Sequence, residues 1–156
     1  MSKVVIIMGS KADLEWANSI VEVLHLFEIQ SVVRIASAHK VPLKCYNLIK
    51  EYEKENVVFI TIAGMSNALS GFTDAQTHCP VIACPPYSDK FGGADLYSSI
   101  RMPSGVAPLT ILSPENAALS AAKIIGLTNA AIKAKVVEYQ EKKRNELEEA
   151  DNKLNC

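Results

Sequence analysis

The stretch Val4-Val5-Ile6-Ile7-Met8-Gly9-Ser10-Lys11-Ala12-Asp13 decides the architecture. Five consecutive apolar residues that stop at a Gly-Ser turn read as a strand buried on both faces. A helical pattern follows at once: over residues 13 to about 27, Leu14, Ala17, Ile20, Val21 and Leu24 recur near helical spacing, so one face packs on a sheet. Working outward, the same unit returns. Ser31-Val32-Val33-Arg34-Ile35, Val57-Val58-Phe59-Ile60-Thr61-Ile62, Val81-Ile82-Ala83 and Leu109-Thr110-Ile111-Leu112 are four further strands. Pro42 suits the first turn of a helix running through Leu43, Tyr46 and Ile49 to about residue 55. Ser113-Pro114-Glu115 resembles a capped start with Pro at the first helical position, followed by an alanine-rich run and a stop near Gly126. Those alanines allow close helix packing. Strands alternating with helices predict an α/β fold, a parallel sheet with helices on both sides.

Composition narrows the classes. The chain has 156 residues, 49% hydrophobic and 21% charged, with 16 Lys+Arg against 17 Asp+Glu and a net charge of −1. That is the size of one domain, spanning 1–156, with a core over about 3–127. Balanced charge lacks the electrostatic footprint of general nucleic-acid binding, and this hydrophobicity argues against disorder. The apolar run at 4–8 is too short for a signal-peptide core or a membrane span, so a cytoplasmic protein without membrane partners is expected. Cys45, Cys79, Cys84 and Cys156 show no zinc-type spacing and read as reduced thiols with structural or incidental roles. After Thr128 the composition changes. Residues 129–155 form a long helical pattern, densely charged from Glu138, with isolated Leu147 and Leu154. So polar a helix buries little against its own domain: it is either a solvated tail or an arm on a neighbouring subunit, anchored through Ile132, Val136, Val137 and Tyr139.

In an open parallel sheet, ligands bind beyond the carboxyl ends of the strands, where strand order reverses. The residues to weigh are Gly9-Ser10-Lys11-Ala12-Asp13, Ala36-Ser37-Ala38-His39-Lys40, Ala63-Gly64-Met65-Ser66-Asn67, the run Cys84-Pro85-Pro86-Tyr87-Ser88-Asp89-Lys90, and Ser113-Pro114-Glu115-Asn116. The first matches neither GxGxxG nor the Walker pattern. It offers a Gly-Ser turn at a helix N-terminus, which suits a phosphate, while Asp13 suits sugar hydroxyls; both Ser10 and Asp13 are equally suited to capping the helix. His39 stands out as a proton-transfer group near neutral pH, with Lys40 beside it to meet a phosphate. His25, mid-helix, and His78, before Cys79-Pro80 at the opposite end of the sheet, read as structural or surface residues, and no metal is expected. Gly92-Gly93 are candidate hinges. Arg101 either clamps a partner subunit or an anion or makes a surface ion pair.

Taken together and in order, Met8-Gly9-Ser10-Lys11-Ala12-Asp13, Ser37-Ala38-His39-Lys40, Ala63-Gly64, Pro80-Val81-Ile82 and Met102-Pro103-Ser104-Gly105 resemble the purine-biosynthetic phosphoribosylaminoimidazole (AIR) carboxylase and mutase family, over about residues 3–127. Class I members, the N5-carboxyaminoimidazole ribonucleotide mutases, usually have Arg after the histidine and Ala-Ala-His in the third loop. Here those places read Lys40 and Ser66-Asn67, which together with Cys-Pro-Pro and Leu-Ser-Pro-Glu resemble class II, the direct carboxylase that animals carry fused to the next enzyme of the pathway. Met65 stands where the animal form has Arg.

The resemblance implies a flavodoxin-like three-layer sandwich, a homo-octamer with sites at subunit interfaces, and no cofactor. It implies that 5-aminoimidazole ribonucleotide and CO2 are converted reversibly to 4-carboxy-5-aminoimidazole ribonucleotide. It also implies His39 as the proton-transfer residue; Ser10, Asp13, Ser37 and Lys40 at the ribose phosphate; and Gly64, Met65, Ser66 and Asn67 at the base and CO2, with Gly9 and Ala38 as further contacts. The alternatives are the class I mutase and, more distantly, a non-catalytic nucleotide-binding module.

Overall fold

Val4, Val5, Ile6 and Ile7 are each wholly buried, as an unbroken apolar run in a two-sided sheet requires. They lie in a computed structural model that describes residues 2–86 and 88–154. Five parallel strands, β1 (Lys3–Met8), β2 (Gln30–Ile35), β3 (Val57–Ile62), β4 (Val81–Ala83) and β5 (Leu109–Thr110), stand in the order β2-β1-β3-β4-β5. That is the flavodoxin-like order, with the reversal between β1 and β3, which run in register from Lys3 opposite Val57 to Met8 opposite Ile62.

Side-chain alternation divides the core in two. Val4, Ile6, Met8, Val58, Ile60 and Ile62 face α1 (Leu14–Leu26) and α5 (Pro114–Gly126). Val5, Ile7, Val57 and Phe59 face the opposite layer, with Cys45, Leu48, Ile49 and Tyr52 of α2 (Pro42–Tyr52) and Leu69 of α3 (Ala68–Ala75). In α5 the expected close packing is present: Ala117, Ala118, Ala121 and Ala122 are fully buried. A Cβ on Gly126 would lie 3.3 Å from Lys133 Cα of α6 (Ala130–Leu154).

The structure departs from the sequence reading in several places, including the short helical turns between Asp89 and Ile100. The fifth strand shrinks to Leu109–Thr110, although the Ile111 amide still donates to Ala83 O at 2.9 Å; at the sheet edge Leu109 stays half exposed. The first helix begins with a 3-10 turn, Lys11–Asp13, before α1. The helix α3 escaped the apolar periodicity because two of its three buried residues are Ser70 and Thr73. Finally, Ile132 and Val136 of α6 enter the core of their own chain, and Tyr139 meets Phe27 edge-on at 5.3 Å while Lys135 pairs with Glu28 at 2.9 Å. The anchored part of α6 is therefore intramolecular. Beyond it, Leu147 and Leu154 are exposed. At 25 residues, the helix is about 37 Å long.

Cys45, Cys79 and Cys84 are free and buried; Tyr87, Cys156 and the last residue of the 129–155 pattern lie outside the described residues. Among the described residues, no helix is long and apolar enough to cross a membrane.

Candidate active site

The carboxyl ends of β1, β2, β3 and β4 converge on an open cavity of about 510 Å3, lined by Gly9, Ser10, Ala12, Asp13, Ser37, His39, Lys40, Ala63, Gly64, Met65, Ser66, Pro86 and Ser88. The volume falls in the range of small-molecule sites, about 300–1,000 Å3. Its floor is rigid because the strand ladder continues into the loops: Gly9 N–H donates to Ile62 O at 2.8 Å, Ala36 N–H to Met8 O at 2.9 Å and Cys84 N–H to Thr61 O at 2.9 Å. Four of the five loops singled out from the sequence meet here. The fifth does not: Ser113 caps α5 at the far edge, its side chain accepting from Asn116 N–H. Another concavity, of about 300 Å3 and lined by Lys123, Leu127, Lys133 and Val137, contains no proton-transfer group suited to pH 7.

At the mouth of α1, Ser10 and Asp13 cap the helix start together. Ser10 Oγ accepts from Ala12 N–H at 2.9 Å, and Asp13 Oδ2 accepts from Ser10 N–H at 3.1 Å, a reciprocal capping box. Two amides of the turn are thereby already satisfied. What remains for a ligand is complementary: the Ser10 hydroxyl keeps its proton to donate, and Asp13 keeps Oδ1 to accept. Burial raises the Asp13 carboxyl above its ordinary pKa, with the Ser10 hydrogen bond opposing.

Ser37 Oγ accepts from Lys40 N–H at 3.2 Å, and Ser37 O accepts from Val41 N–H at 2.9 Å, folding residues 37–41 into a tight turn. The turn presents His39 and Lys40 as exposed residues on the cavity rim. Neither forms an ion pair among the described residues. Ala38 belongs to this turn but not to the cavity lining, packing instead against the α2 side of the core.

The third wall is the tightest. A Cβ on Gly64 would lie 2.9 Å from Pro86 O, so only glycine lets the loops after β3 and β4 meet. Met65 is exposed with φ +60°, the left-handed region that a side chain adopts at a cost. Ser66 follows, exposed on the lining. Asn67 turns away: its side chain is buried, with Oδ1 accepting from Ser70 N–H at 3.1 Å to cap α3 and Nδ2 donating to Ser99 Oγ at 3.0 Å. Among the sequence candidates, therefore, Ala38 and Asn67 lie outside the lining. Ala12, Ala63, Pro86 and Ser88 are lining residues outside the set of sequence candidates. Ser88 has no spacing that sets it apart in its loop.

Arg101 is exposed and away from the cavity lining. Gly92 and Gly93 have φ +58° and +78°, in the left-handed region that glycine adopts without a side-chain penalty. His25 and His78 are exposed, His78 at the amino end of β4.

Strand order and site together define a flavodoxin-like α/β protein whose switch-point cavity is lined by serine hydroxyls, a lysine, a carboxylate and a histidine. The chain belongs to the AIR carboxylase family, whose model it matches over residues 3–146. It is 62% identical to the phosphoribosylaminoimidazole carboxylase of Archaeoglobus fulgidus, over 97% of this chain and 84% of that one. To the enzyme of that name from Treponema denticola it is 47% identical, over 97% and 96% of the two chains. The crystal structure of Treponema denticola PurE superposes with a TM-score of 0.97 at 46% identity, covering 100% of both chains.

Proposed function

We propose that this chain, in purine biosynthesis, carries out the direct and reversible carboxylation of 5-aminoimidazole ribonucleotide by CO2, as the class II resemblance implies. The observation that carries the reading is that the His39-Lys40 turn, which forms no ion pair among the described residues, and the Ser10-Asp13 cap line one cavity. The ribose phosphate is met by Lys40 and by the Ser10 and Ser37 hydroxyls, Asp13 Oδ1 accepts from a sugar hydroxyl, and the base lies against Gly64 and Ser66.

The substrate is an enamine. Its carbon 4 attacks the carbon of CO2, forming a C–C bond as one C=O electron pair moves to oxygen and gives the carboxylate. The ring proton at carbon 4 then passes to His39, restoring the aromatic imidazole. In reverse, His39 returns the proton and CO2 departs. The chemistry needs orientation and a place to hold CO2 out of bulk water, which the tight Gly64-Pro86 wall supports.

A single-domain protomer, a cytoplasmic setting and assembly into a homo-octamer with sites at subunit interfaces complete the reading. The open cavity, and the exposed half of α6, support assembly.

The test is a paired assay: purified protein with aminoimidazole ribonucleotide and bicarbonate, and separately with the N5-carboxylated ribonucleotide. Turnover of the first is expected. Turnover of the second alone would make the chain a class I mutase.

A further inference from the structure

One hydroxyl outside the cavity joins two of its walls. Ser98 lies on the short helix α4 (Tyr97–Ile100). Its Oγ accepts from Asn67 N–H at 2.9 Å, donates to Asp95 O at 2.7 Å, and lies 3.4 Å from Met65 O. A serine hydroxyl has one proton, so the shorter bond to Asp95 O uses it and the Met65 carbonyl is the alternative acceptor. Asp95 in turn reaches the cavity, its Oδ2 accepting from Ser88 N–H at 3.0 Å. Met65 and Ser88 both line that cavity, one after β3 and the other after β4.

Two further observations show that this connection is maintained against a cost. Met65 holds a left-handed backbone at φ +60°, which persists only where its surroundings enforce it. Asp95 Oδ1 is buried with no hydrogen-bond partner among the described residues, an orientation kept while Oδ2 holds the Ser88 amide. The helix that presents Ser98 is itself fixed: Ser99 Oγ accepts from Asn67 Nδ2 at 3.0 Å, and Ser99 O accepts from Thr110 Oγ1 of β5 at 3.0 Å.

We infer that Ser98 is a positioning residue, whose hydroxyl sets the loop carrying Met65 and Ser66 and the segment carrying Ser88 in one shared geometry around the ligand. The inference rests on the proposed reading only in taking this cavity as the active site. Removal of the hydroxyl frees the left-handed turn and the Ser88 segment together, while the Ser10 and His39 loops, held by their own caps, stay in place.

The test compares Ser98→Ala, Ser98→Thr and a control, Asn129→Ala, which removes the side chain that accepts from Ile132 N–H at the start of α6. By hydrogen exchange on the free protein, Ser98→Ala is expected to speed exchange in both 63–67 and 88–96 by about tenfold, the effect of losing one hydrogen bond. Residues 9–13 and 37–41 are expected to be unchanged. In the carboxylation assay it lowers kcat by about tenfold or more with little change in KM, since misplacement of this wall acts on the reacting end of the substrate. Ser98→Thr restores both readouts, and Asn129→Ala moves neither. Faster exchange in only one segment, or in neither, overturns the inference, as does an equal loss of kcat in Asn129→Ala. Coupled exchange in a protein that turns over neither ribonucleotide upholds the coupling and rejects the proposed reaction instead.

Discussion

Gly64 approaches Pro86 so closely that an added methyl group would lie 2.9 Å from the proline carbonyl oxygen. The contact is backbone to backbone, so no side chain can swing aside to relieve it. Gly64→Ala is expected to cost about 1–3 kcal/mol, the usual penalty of overpacking. It should also open the wall between the loops after β3 and β4. Thermal unfolding and kcat/KM measured on one preparation check this: both fall, and an unchanged kcat/KM would show that the contact does not shape the site.

His39 is exposed and makes no ion pair among the described residues, so replacing it removes chemistry without removing packing. His39→Asn is expected to lower kcat by about 10²–10⁴-fold, the range of general acid–base catalysis. Tm and the affinity for the ribonucleotide should be nearly unchanged. A matching loss in binding, read by calorimetry, would assign His39 to holding the ligand.

Ser10 caps the 3-10 turn through a lone pair while its proton remains available, so the two roles separate in one variant. Aspartate is as good a cap as serine, but it brings a negative charge and no proton to the phosphate. Ser10→Asp is therefore expected to hold Tm within a few degrees while raising KM by tenfold or more. Ser10→Ala is expected to lose about 1 kcal/mol of stability as well. A KM unaffected by Ser10→Asp would leave the residue with the cap alone.

Burial pushes the Cys45 and Cys84 thiols from their ordinary 9.0 up to about 11, at Cys84 against a hydrogen bond from Trp16 Nε1 at 3.3 Å. Below pH 9 both are protonated in folded and unfolded chains alike and stability is insensitive to pH. From 9 towards 11 only the unfolded thiols ionise, so stability falls by about 1.4 kcal/mol per pH unit for each. Denaturant titrations at pH 8, 9 and 10 read this directly, and Cys84→Ala should flatten the slope by about half. At pH 8 neither thiol should react with iodoacetamide in the native protein.

Removal of the chain after Asn129 would strip Ile132, Val136 and Tyr139 from the protomer's own core. A cut after Gln140 spares them. That truncation is expected to leave the Tm of the protomer fold nearly unchanged while lowering the mass seen by light scattering, if the exposed half of α6 joins subunits. An unchanged mass would make it a solvated tail.

Much of this was readable from residue order, because the signals are local. Val4-Val5-Ile6-Ile7-Met8 and Val57-Val58-Phe59-Ile60-Thr61-Ile62 can be covered only by two-sided burial, so a parallel sheet with helices on both faces follows, and with it the end at which ligands bind. The turns bearing Ser10 and His39 stand out because they follow such strands. Residue order could not show that α3 exists, since Ser70 and Thr73 are buried polar residues that erase the apolar period. Nor could it show that Asn67 turns inward while Ser88 and Pro86 join the wall, because those placements depend on contacts between segments some twenty to thirty residues apart. The terminal helix shows the same division. Its charge declared a solvated surface beyond residue 140, but only the packing of Ile132, Val136 and Tyr139 against α5 and Phe27 assigned its first turns to this chain. Periodicity records which residues must leave water; which neighbour they meet there is set when distant parts of the chain close around one core.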